Sequence, residues 1–168
     1  MRIMDGLMAF PVIVLAIAMM GAMGPSMLNV IVALGIVYTP RVARVVRSFI
    51  LTIRESQYIE AAKSIGATDI RILFRHILPN CISPIVVQAS FIFSYAILGE
   101  AALSFLGVGV PATLPSWGNI LSEGRVYMQI APWLTVFPGL AIMLTVLGLN
   151  MMGDGLRDFL DPRLQRRK

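Results

Sequence analysis

Charged side chains are scarce in this sequence. Asp, Glu, Lys and Arg make up 14% of its 168 residues, against about 25% in a typical soluble domain. Apolar residues make up 57%, and the mean hydropathy is +0.80. Too few polar groups remain to cover a soluble globule, so the composition predicts a membrane protein embedded in a lipid bilayer.

Cysteine and histidine are almost absent, with Cys81 and His76 as the single examples. One cysteine excludes an internal disulfide and a cysteine-based zinc site, and the lone histidine has no neighbours for a metal cluster. The sequence also lacks a G-x-x-x-x-G-K-[ST] phosphate-binding loop. No catalytic triad or carboxylate pair is evident. We therefore expect no metal, no cofactor and no enzyme activity in this chain.

Four apolar segments predict an all-α, polytopic fold with spans at about 7–23, 26–46, 80–100 and 131–152. A spanning helix needs about 20 residues. The first two segments are interrupted by Pro11 and Pro40, which membrane helices tolerate where neighbours satisfy the freed carbonyl. The first segment also has features of a signal peptide, but Asp5 and the three later segments argue against one.

The basic residues predict which way these spans face. Among the 14 Lys and Arg residues, only Arg125 lies between the third and fourth segments. The positive-inside rule therefore predicts cytoplasmic termini, a cytoplasmic loop 54–79, an outer loop 101–130 and a cytoplasmic tail 153–168. Topology thus explains the positive charge without nucleic acid. A DNA-binding helix-turn-helix in loop 54–79 is disfavoured because spans on both sides restrict its reach.

The loop 54–79 is polar and suited to short helices. Ser56 is placed to cap a first helix, and Gly66 to end it in the left-handed conformation. Thr68 or Asp69 can cap a second helix, after which Pro79 breaks the pattern or starts the third span. The loop is either an amphipathic segment lying on the membrane or a small docking element for a cytoplasmic partner.

This loop resembles the EAA loop of permease subunits in binding-protein-dependent ABC importers. His76 stands where that family usually has Ile. The stretches LGEAALSFLGVGVPATLPSWGNIL (98–121) and GDGLRDFLDPRLQRR (153–167) are similar to the dipeptide- and oligopeptide-permease type of the peptide/nickel branch. The positions that match the EAA loop are Glu60, Ala61, Ala62, Gly66, Leu78 and Pro79.

The resemblance implies the type I ABC importer permease fold, with a coupling helix at Glu60–Gly66 that docks on a cytoplasmic ATPase subunit. It implies import of di- or oligopeptides across the cytoplasmic membrane, with nickel or glutathione as alternatives. The implied partners are ABC ATPase subunits, a second permease subunit in a heterodimer and an extracytoplasmic substrate-binding protein. Because the resemblance covers only the last four spans of that fold, a truncated, non-transporting membrane fragment is the other expectation.

A polar stripe follows the predicted third span. A stripe of this kind can line a substrate path, or it can pack helices together through small residues. Both interpretations stay open from the sequence. Glu100 near the outer end could contact a peptide terminus or lie in solvent. The residues of the stripe are Ser83, Gln88, Ser90, Ser94 and Tyr95.

Overall fold

The computed structural model describes residues 1–160, and these are helical without a strand, which confirms the predicted all-α class. A π-helical turn, Leu73–Ile77, joins the fifth and sixth helices, and the 3-10 turn Arg125–Tyr127 follows the seventh. The helices are α1 (Arg2–Met8), α2 (Val12–Met23), α3 (Met27–Arg54), α4 (Gln57–Ser64), α5 (Asp69–Ile72), α6 (Leu78–Phe105), α7 (Trp117–Gly124) and α8 (Trp133–Leu160).

Three helical stretches in the described residues are long and apolar enough to cross a membrane. They are α3 with 28 residues, the continuous stretch Asp69–Phe105 with 37, and α8 with 28. The pair α1 and α2 makes a fourth candidate if the two count as one bent span. Large apolar side chains on these helices stay exposed, such as Phe93 and Phe137, as expected for surfaces that face lipid.

The first predicted span, 7–23, is not one straight helix. Pro11 precedes α2 with an extended backbone at ψ 132°. Proline lacks the amide proton and its ring clashes with the preceding turn, so the chain bends by 96° between α1 and α2. Arg44 of α3 donates a 3.1 Å hydrogen bond to Asp5, which places α1 beside the C-terminal half of α3.

The other predicted spans are found as longer helices. The predicted span 26–46 lies in α3 from Met27 on, 80–100 lies in α6, and 131–152 lies in α8 from Trp133 on, and α8 continues to Leu160. Half of the predicted tail 153–168 is therefore helical, and residues 161–168 lie outside the described residues. The predicted loop 54–79 overlaps the stretch Asp69–Phe105, because helix continues from α5 through the π turn into α6. We call this continuous stretch the rod.

Pro79 starts α6 without interrupting the rod. A proline ring normally presses on the carbonyl one turn earlier, here that of Arg75. Arg75 lies in the π turn, whose wider geometry accommodates the ring. Asn80 donates a side-chain hydrogen bond of 2.6 Å to the carbonyl of His76. Of the two alternatives from the sequence, Pro79 takes the second and begins the third span.

The central helix is α6, which packs against α3, α7 and α8, while α2 packs on α3. The core between α2, α3 and α6 contains Met20, Leu34 and Leu103. Gly99 lets α3 approach α6 closely, because a Cβ there would lie 3.0 Å from Leu34 Cδ2. Gly153 lets α8 approach α6 in the same way, because a Cβ there would lie 3.2 Å from the Cβ of Ser90.

The segment predicted as outer loop 101–130 is largely ordered helix and hydrogen-bonded turn. Gly107, at φ 79°, ends α6, and the amide of Val108 donates back to the carbonyl of Leu103 at 3.0 Å. Ser116 caps α7 by accepting from the amide of Asn119 at 3.1 Å. The Asn119 side chain donates to the carbonyls of Pro111 and Leu114 at 3.1 and 2.9 Å, and the Ser122 hydroxyl donates to the carbonyl of Phe105 at 3.1 Å, which holds α7 on the end of α6.

Candidate functional site

Helix α4 ends as its sequence predicts. Gly66 has φ 79°, a left-handed conformation that glycine adopts without steric cost. Its amide donates to the carbonyl of Lys63 at 2.9 Å, and the amide of Ala67 donates to that of Ala62 at 3.1 Å. This pair of bonds is a Schellman motif, and the role predicted for Gly66 as helix terminator is confirmed.

The predicted cap at the start of α4 is wrong. The Ser56 hydroxyl accepts no hydrogen bond from the first amides of α4, and instead it donates to the carbonyl of Ile53, at 2.5 Å. This bond anchors the start of α4 to the end of α3. The cap on α5 is found at Thr68, whose hydroxyl accepts from the amide of Arg71 at 3.4 Å, and Asp69 is the first helical residue.

One face of α4 is fixed to the rod. Ile59 and Ala62 are 0% and 7% exposed, and they pack with Ile72, Ile77 and Cys81 at the start of the rod. Burial of such a cluster stabilises the contact by roughly 25 cal/mol per Å² of apolar surface. α4 is therefore a helix with a packed base, which allows it to move together with the rod.

The opposite face of α4 is open. Glu60 and Ala61 are exposed, as are Lys63 and Gly66. Of the predicted coupling residues, Ala62 alone lies in the core. Leu78 and Pro79 are exposed at the start of α6, so the six residues do not form one surface: three lie on the open side of α4, one in its base and two on the rod.

Large apolar side chains are also exposed after α4, in the turn that follows it and at the start of the rod. Ile65, Ile70 and Phe74 are 86%, 72% and 63% exposed. Ile65 is expected from the sequence as an apolar contact residue, whereas Ile70 and Phe74 were missed because they look like ordinary members of a short helix. A signal was present, since Ile70 and Phe74 are four residues apart and share one helix face.

The residues of the predicted polar stripe lie in different surroundings in the structure. Ser90 and Ser94 are buried, and their hydroxyls donate to carbonyls one turn earlier, those of Val86 and Ser90, at 3.3 and 3.4 Å. Ser90 lies against Gly153 of α8. Ser83 and Gln88 are half-buried. Tyr95 instead faces α3, so the five residues line no single surface, and their role in a substrate path stays a prediction.

A cavity of about 870 Å³ lies between α3, α6 and the segment 110–120, within the usual size range of ligand pockets. Its wall is mostly apolar, with Tyr38, Thr39, Glu100 and Ser116 as polar members. Three segments distant in sequence form it, which is why sequence reasoning did not find it. In residues 1–160 no group of three or more His, Cys, Asp and Glu side chains could hold a metal ion.

Two groups of polar contacts lie in and beside this cavity, one around Tyr38 and one around Glu100. The Tyr38 hydroxyl donates to the carbonyl of Tyr95 at 3.0 Å, and the two rings stack with centroids 6.3 Å apart. The Arg41 guanidinium lies 4.7 Å from the centre of the Tyr95 ring. At Glu100, a carboxylate oxygen accepts from the Ser104 hydroxyl at 2.7 Å, and that hydroxyl accepts from the amide of Val110 at 3.1 Å.

Comparison with known proteins gives close relatives over nearly the whole chain. A dipeptide transport system permease protein of Alkalihalophilus pseudofirmus is 52% identical over 164 residues, 98% of this chain and 54% of the relative. A glutathione transport system permease protein of Pectobacterium atrosepticum is 52% identical over 98% of this chain and 55% of its own length. A di/tripeptide transport system permease protein of Pseudomonas aeruginosa is 44% identical over 98% of this chain and 54% of its own length.

The chain thus spans just over half the length of the relatives it matches. The family described as binding-protein-dependent transport system inner membrane component matches residues 1–166. That match agrees with the three or four candidate membrane helices of the described residues. This chain therefore belongs to the family of inner membrane components of binding-protein-dependent transport systems.

Proposed function

We propose that this chain acts as a permease subunit of an ABC importer that moves di- or oligopeptides across the cytoplasmic membrane. ATP hydrolysis takes place on separate partner subunits, so the chain itself is not an enzyme. The names of the relatives support the substrate class, since they include dipeptide, di/tripeptide and glutathione permeases. Nickel, the other alternative from the sequence, gains no support from these relatives.

The observation that carries the proposal is the way α4 is mounted. Its base, Ile59 and Ala62, packs on the rod, and its open face presents Glu60 and Ala61. A helix of this shape suits a groove on a soluble partner. The rod is one helical stretch from Asp69 to Phe105, so a displacement of α4 by an ATPase reaches the cavity beside Glu100 without crossing a flexible loop.

The remaining partners and the orientation are also part of the proposal. A second permease subunit completes the pathway in a heterodimer, and an extracytoplasmic binding protein delivers the peptide at the α7 side. The charge distribution supports cytoplasmic termini and a cytoplasmic α4, since only Arg125 among the basic residues lies between the rod and α8.

A second candidate is a membrane fragment that occupies a partner without transport. The observation in its favour is that the residues predicted to line a substrate path share no single surface: Ser90 and Ser94 are buried and bond to carbonyls of their own helix. The two candidates differ in transport by the assembled complex, and they share the expectation that α4 contacts the ATPase.

The test is co-purification of the ATPase subunits with the chain in detergent. The variants Glu60→Arg and Ala61→Trp change the open face of α4 and leave its base intact. We expect each to reduce ATPase retention at least about ten-fold, as for a central interface residue. The matched controls Glu123→Arg and Ala112→Trp change exposed residues near α7 and should retain the ATPase.

Equal retention by wild type and both α4 variants would contradict docking through α4. Uptake of a labelled dipeptide into vesicles by the same complex then separates the candidates. Uptake that needs ATP supports the permease. Retention of the ATPase without uptake supports the fragment.

A further inference from the structure

The cavity between α3, α6 and the segment 110–120 is lined by one face of each long helix. On α6 the lining residues recur every three or four positions, which places them on a single helix face. The same spacing holds on α3, where the lining residues run from Met27 to Val42. Ile31 and Phe93 line the cavity and are also exposed, so the cavity opens between the two helices. The lining residues on α6 are Ile92, Phe93, Ala96, Ile97 and Glu100.

Among the described residues of this wall, Glu100 is the one charged side chain. The wall contains no Lys, Arg, His or Asp within residues 1–160, and Tyr38, Thr39 and Ser116 contribute hydroxyls. A carboxylate in a membrane helix is costly unless it is paired or hydrated. The cavity therefore presents a single negative charge at one end of a mostly apolar surface.

One carboxylate oxygen of Glu100 is available to a ligand. Its Oε1 accepts from the Ser104 hydroxyl at 2.7 Å, which holds the side chain in place. Its Oε2 accepts no hydrogen bond from residues 1–160. Because no unpaired side-chain oxygen or nitrogen in these residues is buried, Oε2 is accessible. The carboxylate is thus fixed through one oxygen and open at the other.

No cation of the described residues neutralises Glu100. In residues 1–160 the one ion pair at salt-bridge distance joins Arg44 to Asp5. Arg125 is the basic residue between the rod and α8, and its guanidinium lies 5.5 Å from the centre of the Phe105 ring. Phe105 lines a separate apolar groove between α6, α7 and α8. Arg125 therefore lies against a different face of α6, and the pairing group for Glu100 has to come from a ligand or another molecule.

The chemistry of the wall favours an ammonium group attached to an apolar body. Metal ions in proteins take several ligands, about four for zinc and about six to eight for calcium, whereas this wall offers one carboxylate. An ammonium pairs with a single carboxylate oxygen through a short, charge-assisted hydrogen bond. The apolar faces of α3 and α6 then accept the apolar group next to it, as in other ligand pockets.

We infer that this cavity binds the amino-terminal residue of a short peptide, with the peptide ammonium on Glu100 Oε2 and the first side chain against the apolar faces of α3 and α6. The inference rests on the proposed function and deepens it by naming the one charged end that is recognised. The peptide carboxylate stays in the open part of the cavity, because no basic residue of the described chain lines the wall. Glu100 lies toward the α7 end of α6, the side at which the proposed function places peptide delivery.

The sequence offers a built-in reporter for this site. It contains two tryptophans, of which Trp117 lines the cavity and Trp133 does not. A Trp133→Phe background leaves Trp117 as the single tryptophan of the chain, which is reconstituted in nanodiscs of phosphatidylcholine and phosphatidylglycerol.

Three ligands are titrated against Trp117 emission: dileucine, N-acetyl-dileucine without the ammonium, and dileucine amide without the carboxylate. We expect a saturable shift for dileucine and about ten-fold weaker binding after acetylation, the size of one well-placed charged contact. Dileucine amide should bind at least as tightly as dileucine, because only the amino terminus has a charged partner in the wall.

Variants of Glu100 separate its charge from its structural role. Glu100→Gln removes the charge, but its amide oxygen still accepts from the Ser104 hydroxyl. We expect this variant to bind dileucine and N-acetyl-dileucine equally, and unchanged binding of N-acetyl-dileucine shows that it is folded. Glu100→Asp keeps the charge and should retain part of the preference for a free ammonium. Glu123→Gln, which removes an exposed carboxylate outside the cavity wall, should retain all of it.

A lipid headgroup is the other source of a primary ammonium. The dileucine titration is therefore repeated in nanodiscs that contain phosphatidylethanolamine. An unchanged shift supports the peptide, whereas loss of the shift would overturn the inference and assign the site to the lipid ammonium.

The inference is also overturned if dileucine causes no saturable shift, if acetylation leaves its binding unchanged, or if the amide binds about ten-fold more weakly. Persistence of the ammonium preference in Glu100→Gln would overturn it as well. ATPase retention in the co-purification experiment is measured on the same preparations. Retention that depends on Glu60, without an ammonium preference, removes this inference and leaves the proposed function in place. A preference without ATPase retention does the opposite.

Discussion

At the residue scale, glycines set how closely the segment around α7 packs on α6. A Cβ on Gly118 would lie 2.7 Å from the carbonyl oxygen of Ala101 and 2.7 Å from Ser104 Cβ. Both neighbours are buried, and the carbonyl belongs to a rigid helix. The contact around Ser104 also carries the hydrogen bond to Glu100, so this glycine supports the cavity wall.

We expect Gly118→Ala to destabilise the protein by about 1–3 kcal/mol, the usual cost of overpacking. Gly148→Ala is the matched control, because Gly148 is also helical and has nothing within 4 Å of an added Cβ. Alanine there should stabilise α8 by about 0.5–1 kcal/mol. The measurement is thermal unfolding followed by a thiol-reactive dye on Cys81, which is 1% exposed in the folded chain. Equal unfolding temperatures for the two variants would contradict the close packing.

Residue roles could be predicted where the reason is local. The role of Gly66 was predictable because a run of good helix formers followed by glycine indicates that the helix ends there, with the glycine in the left-handed conformation. The structure confirms this. The close packing at Gly118 was not predictable from the sequence, because it depends on Ala101 and Ser104, which belong to another helix. The prediction for Ser56 failed for a related reason. Its hydroxyl could bond to α4 or to the end of α3, and it donates to the carbonyl of Ile53 in α3.

At the element scale, the prolines show what a sequence leaves undecided. Pro11 separates two helices at 96°, whereas Pro40 and Pro138 lie inside helices and Pro79 near the start of one. All four remove one backbone donor. The difference comes from surroundings: Pro40 is fully buried, and Pro79 follows a π turn. The all-α class was predictable from hydropathy, but the bend at Pro11 and the continuity at Pro79 required the tertiary packing.

The Schellman end of α4 allows a test at this scale. We expect Gly66→Ala to raise the rate of trypsin cleavage after Lys63 about five-fold or more, because a left-handed alanine costs roughly 1–2 kcal/mol and favours local opening. Gly66→Asn should lie between wild type and Gly66→Ala, since asparagine tolerates this conformation. Gly35→Ala, a helical site with open space around it, is the control and should leave cleavage unchanged. A Gly66→Ala rate equal to wild type would mean that the packed base alone holds α4.

At the scale of the whole molecule, the two candidate sites lie at opposite ends of one rod. α4 packs at its start through Ile59 and Ala62, and Glu100 lies near its other end, by α7. The coupling proposed above requires these ends to be on opposite sides of the bilayer, with α4 in the cytoplasm. The uneven distribution of Lys and Arg predicts this orientation, while the fold alone is compatible with either.

Thiol labelling in cells tests the orientation. In a Cys81→Ser background, the Ser64→Cys variant places a thiol on the exposed side of α4, and the Met128→Cys variant places one between α7 and α8. We expect a membrane-impermeant maleimide to label position 128 in intact spheroplasts and position 64 only after permeabilisation, because basic segments stay cytoplasmic. Labelling after denaturation controls for expression of both variants. The reverse pattern would put α4 outside and refute docking on a cytoplasmic ATPase, and equal labelling of both positions would refute a single orientation.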